Sequence, residues 1–464
     1  MLDRQKKEHF TQSQSDWRSY QKRLKRISVL KRISRTTLKY TAALVLIFLV
    51  VHQVVAGLNR AESSALQSVV SDSANVIEKT AAGHDPLWDK TTLQAFLERK
   101  NFINLAEKTF NVSHNGQDLK VETSLDPTLQ RYIQKTLKQS TSRYIAIVVM
   151  NPESGKILSM VSYDKTNPEH NPNIDKHFPA ASIFKIVTAV AAIEKCGFNQ
   201  DTTFSYNGRK HTLYKSQLKQ RTNKYSNKIS LRDAFAQSVN PVFGKIGVHY
   251  LDATDLEKCA SDFGFNRPIR FEIPVIPSFL DVSGEPYRWA EIASGFNRET
   301  KITPLHAVSI ASAILNRGKL AEPSIIEKIS DKSGETLYRS RISAKQIIAP
   351  ETSEIMNRLM TATIANGTAK KAFRGFRRDR ILSRLAIGGK TGSIDNKNHD
   401  ARYDWFVGFA EEKEGTEKIV MSVFVAHEKY IGMRASEYAR LAIKNYFRNY
   451  FKQQTVTHTK ERKT

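Results

Sequence analysis

Residues 179–195 constrain the fold of this chain more than any other stretch. Their middle is apolar on nearly every face, and a helix with that pattern lies inside a domain rather than on its surface. One hydroxyl and one ammonium, those of Ser182 and Lys185, occur near the start, three residues apart, so they project from the same side of a helix. Because an unpaired buried lysine is costly, this pair indicates a functional site.

Length and charge narrow the classes of protein and partner. A chain of 464 residues holds two or three domains, or one large domain with appendages. The formal net charge of +26 favours nucleic acid, an anionic membrane or a polyanionic matrix as a partner. No zinc finger, RNA-binding signature or basic stripe interleaved with aromatic residues occurs in the sequence. We therefore expect no nucleic acid partner.

The sequence predicts no disulfide framework, no metal site and no cofactor. Its two cysteines, Cys196 and Cys259, lack metal-ligand spacing and are interpreted as buried thiols. A single bridge between them is the alternative in an oxidising compartment. The twelve histidines are scattered and show no His-Glu-x-x-His pattern.

The N-terminal part predicts a membrane anchor. Residues 1–39 are polar and strongly basic, whereas residues 40–59 contain no charged residue and are long enough to cross a bilayer once. Basic residues stay on the cytoplasmic side, so the N-terminus is expected inside and the remainder outside. The leading region is longer than that of a cleaved signal peptide, which indicates an uncleaved signal anchor. A buried helix of a soluble domain is the alternative.

The rest of the chain predicts a stalk followed by one large domain. Residues 60–120 are interpreted as a stalk or linker, with helices over 61–81 and about 92–109. A compact mixed domain is expected over residues 121–450, followed by a loose basic tail over 451–464.

Local patterns within residues 121–450 predict its elements. Asp126 and Pro127 indicate a helix start, and two apolar runs around the turn at residues 151–155 predict a hairpin. Further predicted elements are helices near 231–239, 303–316, 351–365 and 435–451, a hairpin over 325–338, and strands over 385–391, 403–410 and 419–426. Strands on both sides of a helical, loop-rich section predict an α+β fold: an antiparallel sheet flanked by helices, with an all-helical subdomain.

Three short motifs, taken together and in their order along the chain, predict the chemistry of the site. They are Ser182-x-x-Lys185, Ser238-x-Asn240 and Lys390-Thr391-Gly392. The first two patterns also occur elsewhere, for example at Ser216 and Lys219, so neither is specific alone. Their order is specific, because each falls on a suitable element: the start of a buried helix, the end of a second helix, and a strand.

The first motif predicts acyl transfer. A serine hydroxyl becomes a strong nucleophile only when a base removes its proton, and no Ser-His-Asp arrangement is evident. In a largely dry site beside other cationic or hydrogen-bonding groups, the neutral form of Lys185 is favoured and acts as that base. The backbone N–H of Ser182, at a helix N-terminus, would face a developing oxyanion.

The other two motifs predict the substrate groove. Glycines at 388, 389 and 392 leave the strand backbone accessible, so a substrate peptide can add to that edge as an extra strand. The strand would supply positive charge and two hydroxyl groups for a carboxylate, from Lys390, Thr391 and Ser393. Ser238 and Asn240 are expected to relay a proton and to orient Lys185.

The three motifs in this order resemble those of penicillin-binding proteins and serine β-lactamases. The resemblance covers roughly residues 121–447. Smaller similarities to the transpeptidase branch occur at Thr123-Ser-Leu-Asp126, Ile302-Thr-Pro304, Asn366-Gly-Thr368-Ala and Asp404-Trp-Phe-Val-Gly408.

The resemblance implies a role for each motif. Ser182 would be the acylated nucleophile and Lys185 its base, with Ser238 and Asn240 as the second catalytic element. The docking residues would be Lys390, Thr391, Gly392 and Ser393, and the backbone N–H groups of Ser182 and Ser393 would form the oxyanion hole. The implied substrates are peptidoglycan stem peptides ending in D-Ala-D-Ala, with β-lactams as covalent inhibitors and cell-wall synthesis proteins as partners.

Departures from the family pattern refine this expectation. Residues 60–120 are too few for a glycosyltransferase domain or for the longer pedestal of the division and elongation branch. We therefore predict a short D,D-transpeptidase, anchored in the bacterial inner membrane with its catalytic domain in the periplasm. The alternatives are a D,D-carboxypeptidase that uses water, a β-lactamase, for which a Glu-x-x-Leu-Asn sequence is missing, and a non-catalytic β-lactam or peptidoglycan sensor.

Overall fold

The computed structural model describes residues 88–461. The chain divides into two units, Met1–Asp85 and Pro86–Thr464, and the description below concerns the second. The predicted basic tail at 1–39 and the predicted anchor at 40–59 lie outside the described residues. Among residues 88–461, no helix has both the length and the apolar character needed to cross a bilayer.

The elements are numbered in chain order. The helices are α1 Lys90–Gln94, α2 Pro127–Thr136, α3 Lys185–Cys196, α4 Leu231–Ala236, α5 Asn240–His249, α6 Ala253–Asp262, α7 Pro286–Ala293, α8 Pro304–Leu315, α9 Pro350–Ala365 and α10 Ala435–Glu461. The strands are β1 Thr109–His114, β2 Gln117–Thr123, β3 Ser142–Met150, β4 Ile157–Asp164, β5 Phe178–Pro179, β6 Thr203–Tyr206, β7 Asn227–Ser230, β8 Lys301–Ile302, β9 Lys319–Ala321, β10 Ile326–Ser330, β11 Thr336–Arg339, β12 Ala344–Gln346, β13 Leu385–Asp395, β14 Arg402–Glu412 and β15 Lys418–His427.

A five-stranded antiparallel sheet in the order β13-β14-β15-β3-β4 organises the domain. Its third and fourth strands pair Val423 with Ile147, so the sheet joins segments from opposite ends of the domain, as the sequence predicts. Side chains alternate between its faces: Ile147 belongs to a buried cluster that includes residues of α2 and α10, whereas Val148 belongs to one that includes residues of α3 and α8. Both faces are therefore covered by helices, and the α+β expectation is confirmed.

Local patterns predicted most elements of this domain well. The helix start at Asp126 is confirmed, since its carboxylate accepts hydrogen bonds from the backbone of Thr128 at 2.8 Å and Leu129 at 3.0 Å. The hairpin β3–β4, the hairpin β10–β11, helix α9 and strands β13 to β15 are also confirmed, within a few residues at their ends.

The segment from residue 88 to 120 differs from the predicted stalk. The helix predicted over about 92–109 is wrong: α1 ends at Gln94, and β1 begins at Thr109. Strands β1 and β2 join β10 and β11 in a four-stranded sheet, and Leu93, Phe102 and Leu119 are buried in the core. Besides β1, strand β2 pairs with β10, which lies about two hundred residues later in the chain, where a local pattern gives no sign of it.

Two other expectations need correction. The subdomain between α3 and α8 is not all-helical, because it also contains the hairpin β6–β7. The tail predicted to be loose from residue 451 is helical to Glu461, since no glycine or proline ends α10 after Phe451. Cys196 and Cys259 are both free thiols, but each is half-buried rather than buried.

Candidate active site

The predicted nucleophile, Ser182, lies in a turn of 3-10 helix, Ala181–Phe184, that leads directly into α3. The sequence instead predicted it within the first turn of the α-helix. Ala181 has a φ of 48°, a left-handed conformation that is unfavourable for a residue with a side chain. Gly295 packs against this turn, and a Cβ there would lie 1.9 Å from the carbonyl oxygen of Ala181. The turn is therefore held in a strained shape by its surroundings, as often occurs at functional sites.

Lys185 connects the first two motifs. Its side chain is fully buried, and Nζ lies 2.8 Å from Ser182 Oγ and 2.8 Å from Asn240 Oδ1. Nζ also donates to the backbone carbonyl of Ser294. Burial, and then the charge of Lys390, hold the pKa of Lys185 well below its ordinary value. The neutral amine that a general base requires is thus favoured.

The second motif lies where α4 gives way to α5. Ser238 has a φ of 55° in the connection, and Asn240 is the first residue of α5. The backbone N–H of Asn240 donates to the carbonyl of Lys210 at 2.7 Å, and its side-chain amide donates to the carbonyl of His211 at 3.2 Å. Two neighbouring segments therefore fix the oxygen of this amide against Lys185.

Lys390, on β13, connects the second and third motifs. It is fully buried, and Nζ donates to Ser238 Oγ at 3.0 Å and to the carbonyl of Thr391 at 2.8 Å. Burial lowers the pKa of Lys390 to about 7. Within residues 88–461, neither Lys185 nor Lys390 has a carboxylate oxygen within 4 Å, so no acidic partner stabilises a proton on either amine.

The remaining predicted groups follow one another along β13, an edge strand of the central sheet. The Thr391 hydroxyl is hydrogen-bonded to the Thr368 hydroxyl. At Gly392, a Cβ would lie 3.3 Å from the backbone nitrogen of Ile183, so glycine permits β13 to approach the nucleophile's turn. The exposed Ser393 donates its hydroxyl hydrogen to Asp404 Oδ1 at 3.3 Å.

The structure therefore brings all three motifs into one site, and it adds groups that the sequence did not indicate. The carbonyl of Ser294 holds Lys185, but a backbone oxygen has no sequence signature. Thr368 and Asp404 belong to segments that resemble the transpeptidase branch, although no role was predicted for either. Both lie next to strand β13, where Thr368 contacts Thr391 and Asp404 contacts Ser393.

Comparison with known proteins shows the family of this chain. Residues 145–448 match the model of the penicillin-binding protein transpeptidase domain, which covers more than half of the chain. The chain belongs to this family. The matched residues of this penicillin-binding protein contain all three motifs.

Curated relatives are distant and mostly longer. Stage V sporulation protein D of Bacillus subtilis is 26% identical over 321 residues, which cover 64% of this chain and 48% of that protein. The peptidoglycan D,D-transpeptidase PbpA of Mycolicibacterium smegmatis is 23% identical over 351 residues, 66% of this chain and 67% of that protein. This penicillin-binding protein thus spans about half the length of the first relative and two thirds of the second.

Solved structures share the fold. PBPA of Mycobacterium tuberculosis superposes with a TM-score of 0.58 at 20% identity, over 70% of this chain and 81% of that one. The D,D-transpeptidase domain of a peptidoglycan glycosyltransferase from Eggerthella lenta gives a TM-score of 0.59 at 22% identity, over 80% of this chain and 93% of that one. The first protein has also been solved as an acyl-enzyme complex with penicillin G.

Proposed function

We propose that this penicillin-binding protein is a peptidoglycan D,D-transpeptidase that forms an acyl-enzyme on Ser182. The observation that carries the proposal is the buried amine of Lys185, which lies 2.8 Å from Ser182 Oγ and has no carboxylate partner among residues 88–461. A neutral amine at hydrogen-bond distance from a serine hydroxyl is the arrangement that activates the hydroxyl as a nucleophile.

The first half-reaction forms the acyl-enzyme. Neutral Lys185 takes the hydroxyl proton of Ser182 while Oγ attacks the carbonyl carbon of the penultimate D-Ala. The oxyanion of the tetrahedral intermediate accepts hydrogen bonds from the backbone N–H groups of Ser182 and Ser393. When the intermediate collapses, its C–N bond breaks, and the proton on Lys185 reaches the leaving amine of the terminal D-Ala through the hydroxyl of Ser238.

The second half-reaction transfers the acyl group. The amine of a second stem peptide attacks the ester carbonyl and gives a proton to Lys185. The C–O bond to Ser182 then breaks, and Lys185 returns the proton to Oγ. The products are one crosslinked peptide and the free enzyme. Water in place of the amine would give a carboxypeptidase by the same steps.

Substrate docking is supported by the edge position of β13. An extended peptide can pair with this edge, because β14 occupies only one of its two sides. The charge of Lys390 and the hydroxyl groups of Thr391 and Ser393 lie along the same strand and would hold the terminal carboxylate. A β-lactam, which presents a carboxylate and a reactive amide, would use the same groups and acylate Ser182.

A fluorescent penicillin tests the acyl-enzyme. Wild-type protein should acquire one covalent label on the peptide that contains Ser182, and Ser182→Ala should acquire none. The matched control is Ser216→Ala, which alters the exposed Ser-x-x-Lys pattern at residues 216–219 and should label like wild type. Lys185→Met should slow acylation by about a hundredfold or more, as loss of a general base does. Unimpaired labelling of Ser182→Ala would refute the assignment.

The fate of the acyl group separates the alternatives. Purified protein supplied with stem peptides and an amine acceptor should form crosslinked dimers. Release of D-Ala without dimers would indicate a carboxypeptidase, and rapid release of the penicillin label would indicate a β-lactamase. A sensor would be indicated if Ser182→Ala lost labelling but fully replaced the wild-type protein in cells.

The membrane anchor is a second part of the proposal. Residues 40–59 are uncharged and follow a strongly basic segment, so we propose that they cross the inner membrane with residues 1–39 in the cytoplasm. Alkaline phosphatase, which is active only outside the cytoplasm, should be active when fused after residue 60 and inactive when fused after residue 39. Equal activity of the two fusions would contradict this orientation.

A further inference from the structure

A strongly cationic loop lies beside the candidate active site. We define the cationic loop as residues 207–228, the connection between β6 and β7 with the first residues of β7. Residues 202–232 contain no aspartate or glutamate. The loop carries Lys210 and six further basic residues: Arg209, Lys215, Lys219, Arg221, Lys224 and Lys228. All seven side chains are exposed.

These charges have no acidic partner in the described part of the chain. Among the ion pairs between residues 88–461, none involves a basic residue of the cationic loop. The ammonium of Lys210 bonds to the side-chain oxygen of Gln237, which is neutral, at 2.5 Å. Exposed basic residues elsewhere, such as Lys195 and Lys165, do have carboxylate partners. The cationic loop therefore concentrates uncompensated positive charge.

Buried side chains and hydrogen bonds within the cationic loop fix its shape. Leu213 and Leu218 are buried against Ala290 of α7. The buried side chain of Gln217 accepts from the backbone N–H of Tyr214 at 3.0 Å and donates to the carbonyl of Asn207 at 2.8 Å. A buried, fully bonded glutamine gives the loop a defined shape, so its basic side chains project from a fixed scaffold.

The same loop is attached directly to the catalytic motif. The carbonyls of Lys210 and His211 accept from the backbone N–H and side-chain amide of Asn240, and the His211 ring lies 3.3 Å from the carbonyl of Ser238. The exposed charges of the loop are thus carried on a segment that directly contacts the motif between the two buried lysines. A one-sign field that ends at a reactive site raises the local concentration of ligands with the opposite sign.

We infer that the cationic loop binds a peptide strand that carries carboxylates beyond its own C-terminal one, and holds it at the site. This inference rests on the proposed function, because it specifies which stem peptides the site prefers. The partner is assigned as a peptide rather than a lipid surface because the charges are connected through the loop backbone to Ser238 and Asn240. A ligand bound to the loop is therefore next to the groups that would act on it.

Equilibrium binding tests the inference without turnover. The probes are two fluorescent peptides ending in D-Ala-D-Ala, identical except that one has two additional free carboxylates and the other has both as carboxamides. Binding is measured by fluorescence anisotropy to the full chain with Ser182→Ala. At low salt the acidic peptide should bind about tenfold more tightly than its twin. At 1 M salt, where the screening length is about 3 Å, the difference should disappear.

Two multiple variants assign that preference to the loop. The loop variant should lose most of the preference for the acidic peptide and should bind the amidated peptide as the parent protein does. It combines four substitutions: Lys215→Gln, Lys219→Gln, Arg221→Gln and Lys224→Gln. The matched control replaces four exposed basic residues of the β9, β11 and β12 region, Lys319, Arg339, Arg341 and Lys345, by glutamine. This control should keep the preference.

Three results would overturn the inference. They are an unchanged preference in the loop variant, an equal loss in the control variant, or a loop variant that loses only its binding to vesicles containing anionic phospholipid. Failure of the proposed function is seen separately, as wild-type protein that is not labelled by penicillin. The peptide preference can still be measured in that case, since it does not depend on acylation.

Discussion

Replacing Lys390 by methionine should make this protein more stable in acid and inactive at neutral pH. Burial lowers the pKa of Lys390 from its ordinary value of 10.5 to about 7. Between these two pKa values the unfolded chain binds a proton that the folded chain releases, so wild-type stability rises with pH across this range. Below pH 7 the buried charge is present in the folded state at its full cost.

The size of the effect follows from the two pKa values. Their difference of about 3.5 corresponds to about 5 kcal/mol of destabilisation below pH 7, and to almost none above pH 10.5. Lys390→Met removes this cost but also removes two hydrogen bonds of the amine, to Ser238 and Thr391, worth about 1.5 kcal/mol each. The variant should therefore be about 2 kcal/mol more stable than wild type at pH 6. Near pH 10, where less than about 1 kcal/mol of the cost remains, the loss of the two hydrogen bonds dominates, and the variant should be less stable than wild type by about 2 kcal/mol.

Urea denaturation at pH 6 and pH 10 measures both differences. Lys345→Met is the control, since Lys345 is exposed and should show no pH-dependent difference from wild type. A Lys390→Met variant that is less stable than wild type at both pH values, or a difference that does not change between them, would refute the reasoning. Penicillin acylation gives an independent measure: the charge of Lys390 lowers the pKa of Lys185, so any residual acylation in the variant should shift to higher pH.

Three further substitutions test other contacts. Asp404→Ala removes the acceptor that orients the Ser393 hydroxyl, so penicillin acylation should fall by about tenfold, whereas Asp404→Asn keeps an acceptor and should retain most of the rate. Glu272 is a fully buried carboxylate that accepts hydrogen bonds from two hydroxyl groups and one backbone N–H, and Glu272→Gln replaces it by a neutral amide. Thermal denaturation should show that the free energy of unfolding falls by about 2 kcal/mol, whereas the acylation rate of the folded protein should not change. Gly295→Ala would put a Cβ into the carbonyl of Ala181, so both the melting temperature and the acylation rate should fall.

Elements with short-range signals were predictable from sequence. The hairpin β3–β4 has two apolar runs around a turn at residues 151–155, and α9 ends just before Asn366-Gly367; both features are local. The sheet β1-β2-β10-β11 could not be predicted in this way. Val121 pairs with Ile329, and nothing in the short polar strand β1 indicates that the next strand has a partner so far along the chain.

The site was predictable for a different reason. Each of the three motifs begins with a residue of the site: Ser182, Ser238 or Lys390. The order of the motifs along the chain, and the helix or strand on which each was predicted to lie, indicated that these residues meet. The order could not indicate the contacts made by backbone atoms. The carbonyl of Ser294 holds Lys185 whatever residue occupies position 294. The left-handed φ of Ala181 occurs where Gly295 packs against it, and an alanine in the sequence does not indicate such a contact.

The two buried lysines also explain how one site can contain a neutral base, Lys185, next to a positively charged group, Lys390. Both amines are desolvated, and each would disfavour a proton on the other. In the proposed complex the substrate carboxylate lies beside Lys390 and raises its pKa, so Lys390 becomes fully charged. That charge lowers the pKa of Lys185 further, so the amine next to Ser182 stays neutral while the substrate is bound. A single carboxylate thus separates the roles of two chemically identical side chains, and a substrate without it would lose rate as well as affinity.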